Sequence, residues 1–280
     1  MDLAYWGFRR WPFERLLTSD RFFASPLHEE SMARLLFLVE ECRRTGFMIG
    51  PGGTGKTFLL KLLQQRAERL GRLTVRIDAT GLDGHELICE IAARCHVPSD
   101  PDATSARIWN GIHQRFAALA VIQQPVVLTI DHFDLVDFRC QQTIGRLRQL
   151  ADAIDVKLTI ILASRNPTIP AALEDFVELR IDISPWAATE TARFIQWSVE
   201  KAGSPMTIFT DEAVDLIHLT ANGIPAGIVT LCSLALLAAR ARDEKLVSRN
   251  IVEAAHRELM PWSTSPARQK SDDDRVMVSN

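Results

Sequence analysis

The sequence lacks a long apolar run. Its longest candidate, Leu231 to Ala241, contains Arg240 and is shorter than the roughly 18 residues that a transmembrane helix requires. The chain opens with Met1-Asp2 and not with a basic segment followed by an apolar one, which argues against a signal peptide. We therefore expect a cytoplasmic protein that does not insert directly into a membrane.

Excess charge of one sign and paired cysteines are missing too. The formal net charge of −3 carries no basic signature, so nucleic-acid binding would need a local patch. Arg139, Arg146 and Arg148 are the candidates for such a patch, but a solvated helix face explains them better. The five cysteines are spaced irregularly in apolar segments, which indicates buried thiols and argues against a disulfide framework or a zinc site.

A glycine-rich stretch carries the chemistry. Gly50-Pro-Gly-Gly-Thr-Gly-Lys-Thr57 matches the phosphate-loop pattern G-x-x-x-x-G-K-[ST], and it lies between a short apolar strand pattern and an apolar helix pattern. Backbone N–H groups and the positive end of the helix would both face a phosphate. Lys56 would contact the β- and γ-phosphates, and the Thr57 hydroxyl would bind Mg²⁺. We expect the nucleotide to be bound by Gly50, Pro51, Gly52, Gly53, Thr54, Gly55, Lys56, Thr57 and Phe58.

Strand patterns alternate with helix patterns over the first two thirds of the chain. Strands are predicted over residues 46–49, 73–78, 126–130, 157–163 and 177–181, and helices over 28–41, 58–70, 82–93, 105–120 and 140–153. This alternation predicts an α/β fold of the P-loop NTPase class, in which a parallel sheet carries helices on both faces. From Ala187 onward only helices are predicted. They cover residues 189–201, 228–241 and 247–257, and a further helix begins at residue 210.

These patterns divide the chain into four parts. Residues 1–30 form an aromatic arm that we expect to pack on the core, with a partner-binding patch as the alternative. Residues 31–184 form the α/β domain, 185–262 a small all-helical lid domain, and 263–280 a disordered tail.

Three further side chains complete the expected site. Asp131 ends the apolar strand pattern 126–130, where its carboxylate would hold the magnesium with Thr57. The next residue is His132, whose neutral imidazole can accept a proton from water. Ser164, at the end of the fourth strand, is favoured with Asn166 as a sensor of the γ-phosphate. The catalytic candidates are therefore Lys56, Asp131, His132 and Ser164.

The order of these pieces resembles the ExeA/GspA-type AAA+ ATPases linked to bacterial type II secretion, which are related to the MuB/TniB-type transposition helpers. The resemblance covers residues 5–260 and uses the loop, the Asp131 strand and several short motifs. Those motifs are Trp6-Gly-Phe8, Pro12-Phe13, Arg21-Phe-Phe23 with Ser25 and His28, and Gly223-Ile-Pro225. The family implies a bacterial cytoplasmic ATPase that uses ATP and Mg²⁺. Its partner would be a protein of a membrane-associated assembly or further copies of itself, which would place it at the inner membrane through that partner.

The sequence departs from this family at the groups that support hydrolysis. A Glu usually follows the magnesium-binding Asp, and here it is His132; the arginine of the lid motif is replaced by Ala226. No arginine lies between Asn166 and Val177, where a finger for a neighbouring subunit is expected. Because an arginine finger contributes about 10³-fold or more to the rate, slow turnover is expected.

Three functions fit these features. The first is an AAA+ ATPase whose slow hydrolysis switches the lid. The second is a nucleotide-gated scaffold with little or no hydrolysis, which the departures favour. The third is a DNA-transposition helper, against which the net charge of −3 weighs.

Overall fold

The computed structural model describes residues 2–14, 23–98, 104–204 and 206–259. Its sheet consists of β1 Thr45–Ile49, β2 Leu73–Asp78, β3 Val126–Asp131, β4 Leu158–Ser164 and β5 Val177–Asp182. The helices are α1 Leu3–Trp6, α2 Pro26–Glu40, α3 Lys56–Arg69, α4 Gly84–Arg94, α5 Ser105–Val121, α6 Phe138–Ala153, α7 Ala188–Ala202, α8 Asp211–Ala221, α9 Pro225–Ala241 and α10 Arg249–Leu259.

The five strands form one sheet in the order β2-β3-β4-β1-β5, and every pairing is parallel. Each of the predicted strands is present, with its ends within one residue of the predicted ones. The register pairs Asp78 with Asp131, so the last residues of β2 and β3 lie side by side. Because all carboxyl ends meet at one edge, the loops that follow β1, β3 and β4 converge there.

Helices cover both faces of the sheet, as the alternation predicts. On β1, Phe47 and Ile49 face the helices α4, α5 and α6, whereas Met48 faces α2 and α3. β3 and β4 alternate in the same way, and their burial on both sides explains why they read as continuous apolar runs. The predicted α/β fold, a parallel sheet with helices on both faces, is confirmed.

Among the described residues after 187, the regular elements are helices joined by loops, in agreement with the sequence. α7, α8, α9 and α10 enclose a second apolar core that includes Ile217, Cys232 and Leu236. Local signals set their limits: the Thr210 side chain caps α8, and Asn222 ends that helix in the left-handed conformation. Within the described parts of the chain, every helix falls short of the length and apolarity that a membrane crossing requires.

The aromatic arm contributes to this second core. The sequence predicts an arm packed on the core, and the structure places it against the helical part. Buried aromatic rings of residues 2–14 lie among its helices, namely those of Trp6, Phe8, Trp11 and Phe13. The main-chain N–H of Arg9 donates to the carbonyl of Ala202 at 2.7 Å, which fixes the arm on the end of α7. Arg21, Phe22 and the predicted tail 263–280 lie outside the described residues.

We predict that Phe13→Ala destabilises the protein because this ring is only 3% exposed and contacts Phe194 and Phe209. Removing a buried Phe side chain costs about 3–5 kcal/mol, so the midpoint of urea denaturation should fall clearly. Phe37→Ala is the matched control, since that ring is 52% exposed and should change the midpoint little. Equal midpoints for the two variants would contradict the packing of the arm.

Candidate functional site

A pocket of about 200 Å³ lies at the carboxyl edge of the sheet, beneath the start of α9. Its walls come from the glycine-rich loop, the ends of β3 and β4, and the helical part. The lining residues are Gly52, Gly53, Gly55, Lys56, Thr57, Phe58, Asp131, His132, Asp134, Arg165 and Ala226. The structure therefore brings most of the predicted site residues together in one cavity.

The loop needs glycine for two physical reasons. Gly53 and Gly55 have φ angles of +83° and +101°, which side-chain-bearing residues rarely adopt. A Cβ at Gly50 would come within 2.3 Å of the carbonyl oxygen of Ile183, which lies just beyond β5. The main chain therefore reaches its tight curve only with glycine at these positions.

Lys56 is the buried cation of the site. It is 8% exposed, and its ammonium donates to the carbonyl oxygens of Gly50 at 2.6 Å and Pro51 at 2.9 Å. Burial lowers the pKa of Lys56 because desolvation penalises its charged form, whereas the nearby Asp131 carboxylate acts in the opposite direction. A phosphate at this place would offset the desolvation cost of the ammonium.

His28, at the start of α2, holds the outer side of the loop. Its Nε2–H donates to the carbonyl oxygen of Thr54 at 2.9 Å, and its Nδ1 accepts from the Ser25 hydroxyl at 3.0 Å. Both ring nitrogens therefore have partners while the imidazole is neutral, and burial lowers the pKa of His28 accordingly. A Cβ on Gly55 would lie 3.0 Å from this ring, so the imidazole contacts the loop directly.

The side chains predicted to hold magnesium suit that ion. Thr57 lines the pocket, and Asp131 is 3% exposed at the end of β3. Hydroxyl and carboxylate oxygens are the hard ligands that Mg²⁺ prefers. Asp131 Oδ1 also accepts from the main-chain N–H of His132 at 2.9 Å, which fixes the orientation of the carboxylate. The donor set therefore fits a magnesium ion shared with phosphate.

His132 is held by Asp78, a residue that belongs to no motif of the sequence. Its Nδ1 donates to Asp78 Oδ1 at 2.9 Å, so the proton resides on Nδ1 and the lone pair on Nε2. The pKa of Asp78 is lowered: burial opposes this, but the hydrogen bonds from Thr80 and His132 outweigh it. Register between β2 and β3 places Asp78 there, and no local signal in the sequence announces it.

Four of the predicted residues do not line the pocket. Gly50 and Pro51 accept from Lys56 behind it, and the Thr54 hydroxyl donates to Pro51 at 2.9 Å. The Ser164 hydroxyl donates to the main-chain oxygen of Asn166 at 2.8 Å, and it is 2% exposed. The role of Ser164 as a phosphate sensor stays a prediction, and it is the neighbouring Arg165 that lines the pocket.

Three lining residues lie outside the set of predicted catalytic and binding residues. Asp134 and Arg165 stand in the polar segments that follow β3 and β4, where the sequence already marks polar side chains near the expected site. Ala226 comes from α9 of the helical part, and its main-chain N–H donates to the carbonyl oxygen of Gly53 at 3.2 Å. The first turn of α9 therefore rests directly on the loop, and a Cβ on Gly53 would come within 2.9 Å of the Ala226 methyl group.

Comparisons with known proteins agree with the fold and with the glycine-rich loop. A family model described as an AAA domain matches residues 40–167, which include the loop and Asp131. Cdc6p of Pyrobaculum aerophilum is similar in structure, with a TM-score of 0.69, 18% identity, and coverage of 92% of this chain and 71% of that one. The Aeropyrum pernix ORC1 protein, solved in complex with DNA, has a TM-score of 0.69 and 19% identity, covering 90% and 70%. The RuvB branch migration motor of Thermotoga maritima follows with a TM-score of 0.56 and 13% identity, covering 89% and 73%.

One known protein is similar in sequence over most of this chain. The chain is 24% identical over 266 residues to General secretion pathway protein A of Aeromonas hydrophila, covering 91% of this chain and 48% of that protein. The resemblance noted in the sequence is confirmed: this chain is similar to the AAA+ ATPases of the ExeA/GspA type. It spans about half the length of that relative.

We predict that His28 makes the stability of the protein sensitive to acid. Because the folded pKa of His28 lies below its unfolded value of about 6.5, the unfolded chain takes up the proton first as the pH falls. The stabilisation is therefore complete above about pH 6.5 and is lost below it.

The test is urea denaturation of the wild type and His28→Gln between pH 7.5 and pH 5. The wild type should lose stability more steeply than the variant, whose amide does not titrate. His113→Gln, at an exposed position on α5, should follow the wild type. Parallel curves for the wild type and His28→Gln would contradict the neutral, buried state of His28.

Proposed function

We propose that this protein binds Mg-ATP in the pocket beneath α9, hydrolyses it slowly, and uses the nucleotide to set the position of the helical lid. The observation that carries this proposal is the buried Lys56 ammonium, which shares one cavity with Thr57 and Asp131. A buried cation beside a glycine-rich main chain and a helix start is a site for phosphate. The oxygen atoms of Thr57 and Asp131 suit the accompanying metal.

Each side chain has a part that follows from its position. Lys56 would exchange the carbonyls of Gly50 and Pro51 for the β- and γ-phosphate oxygens. Thr57 and Asp131 would hold Mg²⁺, which neutralises charge on the phosphates when it is bound. The bare Nε2 of His132 would accept a hydrogen bond from water, and Asp78 would keep the ring in this tautomer.

The contact between Ala226 and Gly53 would link the nucleotide site to the position of the lid. Ala226 donates to Gly53 within the loop, so a shift of the loop main chain changes the contact with α9 directly. A phosphate that draws N–H groups of the loop inward would therefore alter the seating of α9. Differential binding of a nucleotide to two lid positions is what shifts such an equilibrium.

The proposed cellular role is taken from the relative named above. General secretion pathway protein A suggests that the chain acts on a secretion-related assembly of the bacterial envelope, through a protein partner or through further copies of itself. A cytoplasmic protein held at the inner membrane by that partner fits this role. These parts of the proposal rest on 24% identity to 48% of the relative.

A nucleotide-gated scaffold without hydrolysis is the second candidate, and the polar contact of His132 favours it. With Nδ1 bound to Asp78, His132 offers water a neutral nitrogen in place of the usual carboxylate. Ala226 offers no charge to the phosphates from the lid. The two candidates share ATP binding and differ in phosphate release.

Lys56→Ala should weaken binding of Mg-ATP by about 10-fold or more, because charged hydrogen bonds to the phosphates are lost. Any phosphate release should fall to background. Calorimetric titration and steady-state phosphate release measure these two effects. Lys157→Ala is the control, since Lys157 is exposed before β4 at the opposite edge of the sheet and should behave as wild type. Unchanged ATP affinity in Lys56→Ala would contradict the proposed site.

A variant at His132 distinguishes a protein that hydrolyses ATP slowly from one that does not hydrolyse it. His132→Glu alone would place a carboxylate beside Asp78, and the two negative charges would repel each other. The double variant Asp78→Asn with His132→Glu removes this repulsion. It should release phosphate about 100-fold faster than the wild type, in the range of a general-base contribution.

The single variants Asp78→Asn and His132→Glu are the controls, with ATP affinity measured alongside. If the wild type releases no phosphate and the double variant does, the scaffold is the native role. If the wild type releases phosphate faster than the double variant, His132 itself is the better base and the prediction is wrong.

A further inference from the structure

A second cavity lies in the helical part of the molecule. Its volume is about 400 Å³, and it shares no lining residue with the pocket beneath α9. It is an open groove between α7 and α8, two helices that run in opposite directions. Their opposed course follows from the hydrogen bond at 2.9 Å between Thr191, early in α7, and His218, late in α8. The loop of residues 203–210 closes the other end of the groove.

The floor of the groove is apolar. Ile195 and Val199 lie one turn apart on α7, Phe209 of the loop joins them, and all three side chains are buried. Asp211 and Asp215 lie one turn apart on α8, so each helix turns one face towards the groove. The lining part of α7 spans residues 192–200, which corresponds to a length of about 12 Å. The groove therefore offers an apolar bed about two helical turns long.

Apolar side chains reach solvent at both ends of the groove. Met206 lines the loop end and is 70% exposed. Leu219 lies one turn after Asp215 on the same side of α8, towards the opposite end, and is 67% exposed. Such an apolar strip is typical of a surface that contacts another molecule, and the flexible thioether of Met206 can adapt to an apolar partner.

The charge of the groove has one sign. Glu200, Asp211 and Asp215 are the charged side chains among its described lining residues, and all three are carboxylates. Glu200 accepts a hydrogen bond from the neutral amide of Gln196 at 2.9 Å. Asp211 and Asp215 make no side-chain hydrogen bond or ion pair within the described parts of the chain. A groove of this charge favours an occupant that carries positive charge, and it repels nucleic acid and anionic lipid.

We propose that this groove binds an amphipathic helix of a partner protein, which places leucine-sized side chains on the floor and lysine or arginine side chains beside Glu200, Asp211 and Asp215. A helix that lays its apolar face into a groove is a common mode of peptide recognition. Packed helices lie about 8–10 Å apart, so a third helix fits along the seam between two antiparallel ones. The inference adds a docking surface to the protein and does not depend on the nucleotide site.

The test uses a synthetic amphipathic peptide of about 14 residues, with leucine at helical spacing on one face and lysine on either side of it. Fluorescence anisotropy of the labelled peptide, titrated with the full chain in the absence of nucleotide, measures its affinity. We expect binding to weaken as sodium chloride rises from about 50 mM to about 300 mM, because salt screens the charge pairs. Two altered peptides should not bind: one with glutamate in place of lysine, and one with serine in place of leucine.

Matched double variants locate the binding. Asp211→Asn with Asp215→Asn should weaken binding of the lysine peptide about 3- to 10-fold, since two exposed charge pairs are lost. Glu212→Gln with Glu258→Gln removes the same charge from positions on α8 and α10 that do not line the groove, and it should match the wild type. All four side chains are exposed, so both double variants should fold.

A wild type that binds no peptide, equal affinity for the lysine and glutamate peptides, or equal losses in the two double variants would each overturn the inference. Sedimentation of the protein alone checks a different occupant. A dimer that dissociates in the double variant of Asp211 and Asp215 would assign the groove to a second copy of the chain, and this result would overturn the inference too. Because no nucleotide is present, a failure of the proposed ATP site leaves these outcomes unchanged.

Discussion

The close packing around the main chain of the glycine-rich loop is the constraint on which the rest of the structure depends. Ile183 beyond β5 and Ala226 of the lid both approach to within 3.0 Å of where a Cβ would be, the first at Gly50 and the second at Gly53. At Thr54, His28 holds the carbonyl oxygen. Sheet, lid and α2 therefore meet at the backbone of one loop. Because all three contacts engage main-chain atoms of the loop, a movement of the loop main chain changes each of them directly.

Charge placement explains why a histidine fits after Asp131. Parallel register sets the last residues of β2 and β3 side by side, which brings Asp78 next to the position after Asp131. A carboxylate at that position would stand beside Asp78, whereas the imidazole of His132 donates a hydrogen bond to it. The same replacement that relieves repulsion also exchanges a charged proton acceptor for a neutral one. At this one position, the side chain that avoids repulsion with Asp78 is also the weaker proton acceptor.

Local patterns predict most of the fold and part of the site. The strand ends are predicted to within one residue because buried β-branched runs end at polar or glycine residues, and the loop carries its own motif. Contacts set by sheet order are beyond such patterns: the approach of Asp78 to His132 depends on the register of β2 with β3. Likewise, the turn that engages the Ser164 hydroxyl decides that Arg165, and not Ser164, lines the pocket.

The arm and the lid form a closed ring of contacts with the loop. Phe23 packs on Trp186 at 5.5 Å between ring centres, and the His28 ring lies 5.9 Å from the same indole. The main-chain N–H of Trp186 donates to the carbonyl of Gly223, and Ala226 follows three residues later against Gly53. Since His28 holds Thr54, the ring begins and ends at adjacent loop residues. The lid therefore cannot move relative to the loop without changing one of these contacts. Under the proposed function, nucleotide binding alone would be enough to use this coupling. A hydrolysing motor and a gated scaffold would therefore share it, and cleavage of the phosphate would only return the protein to its starting state.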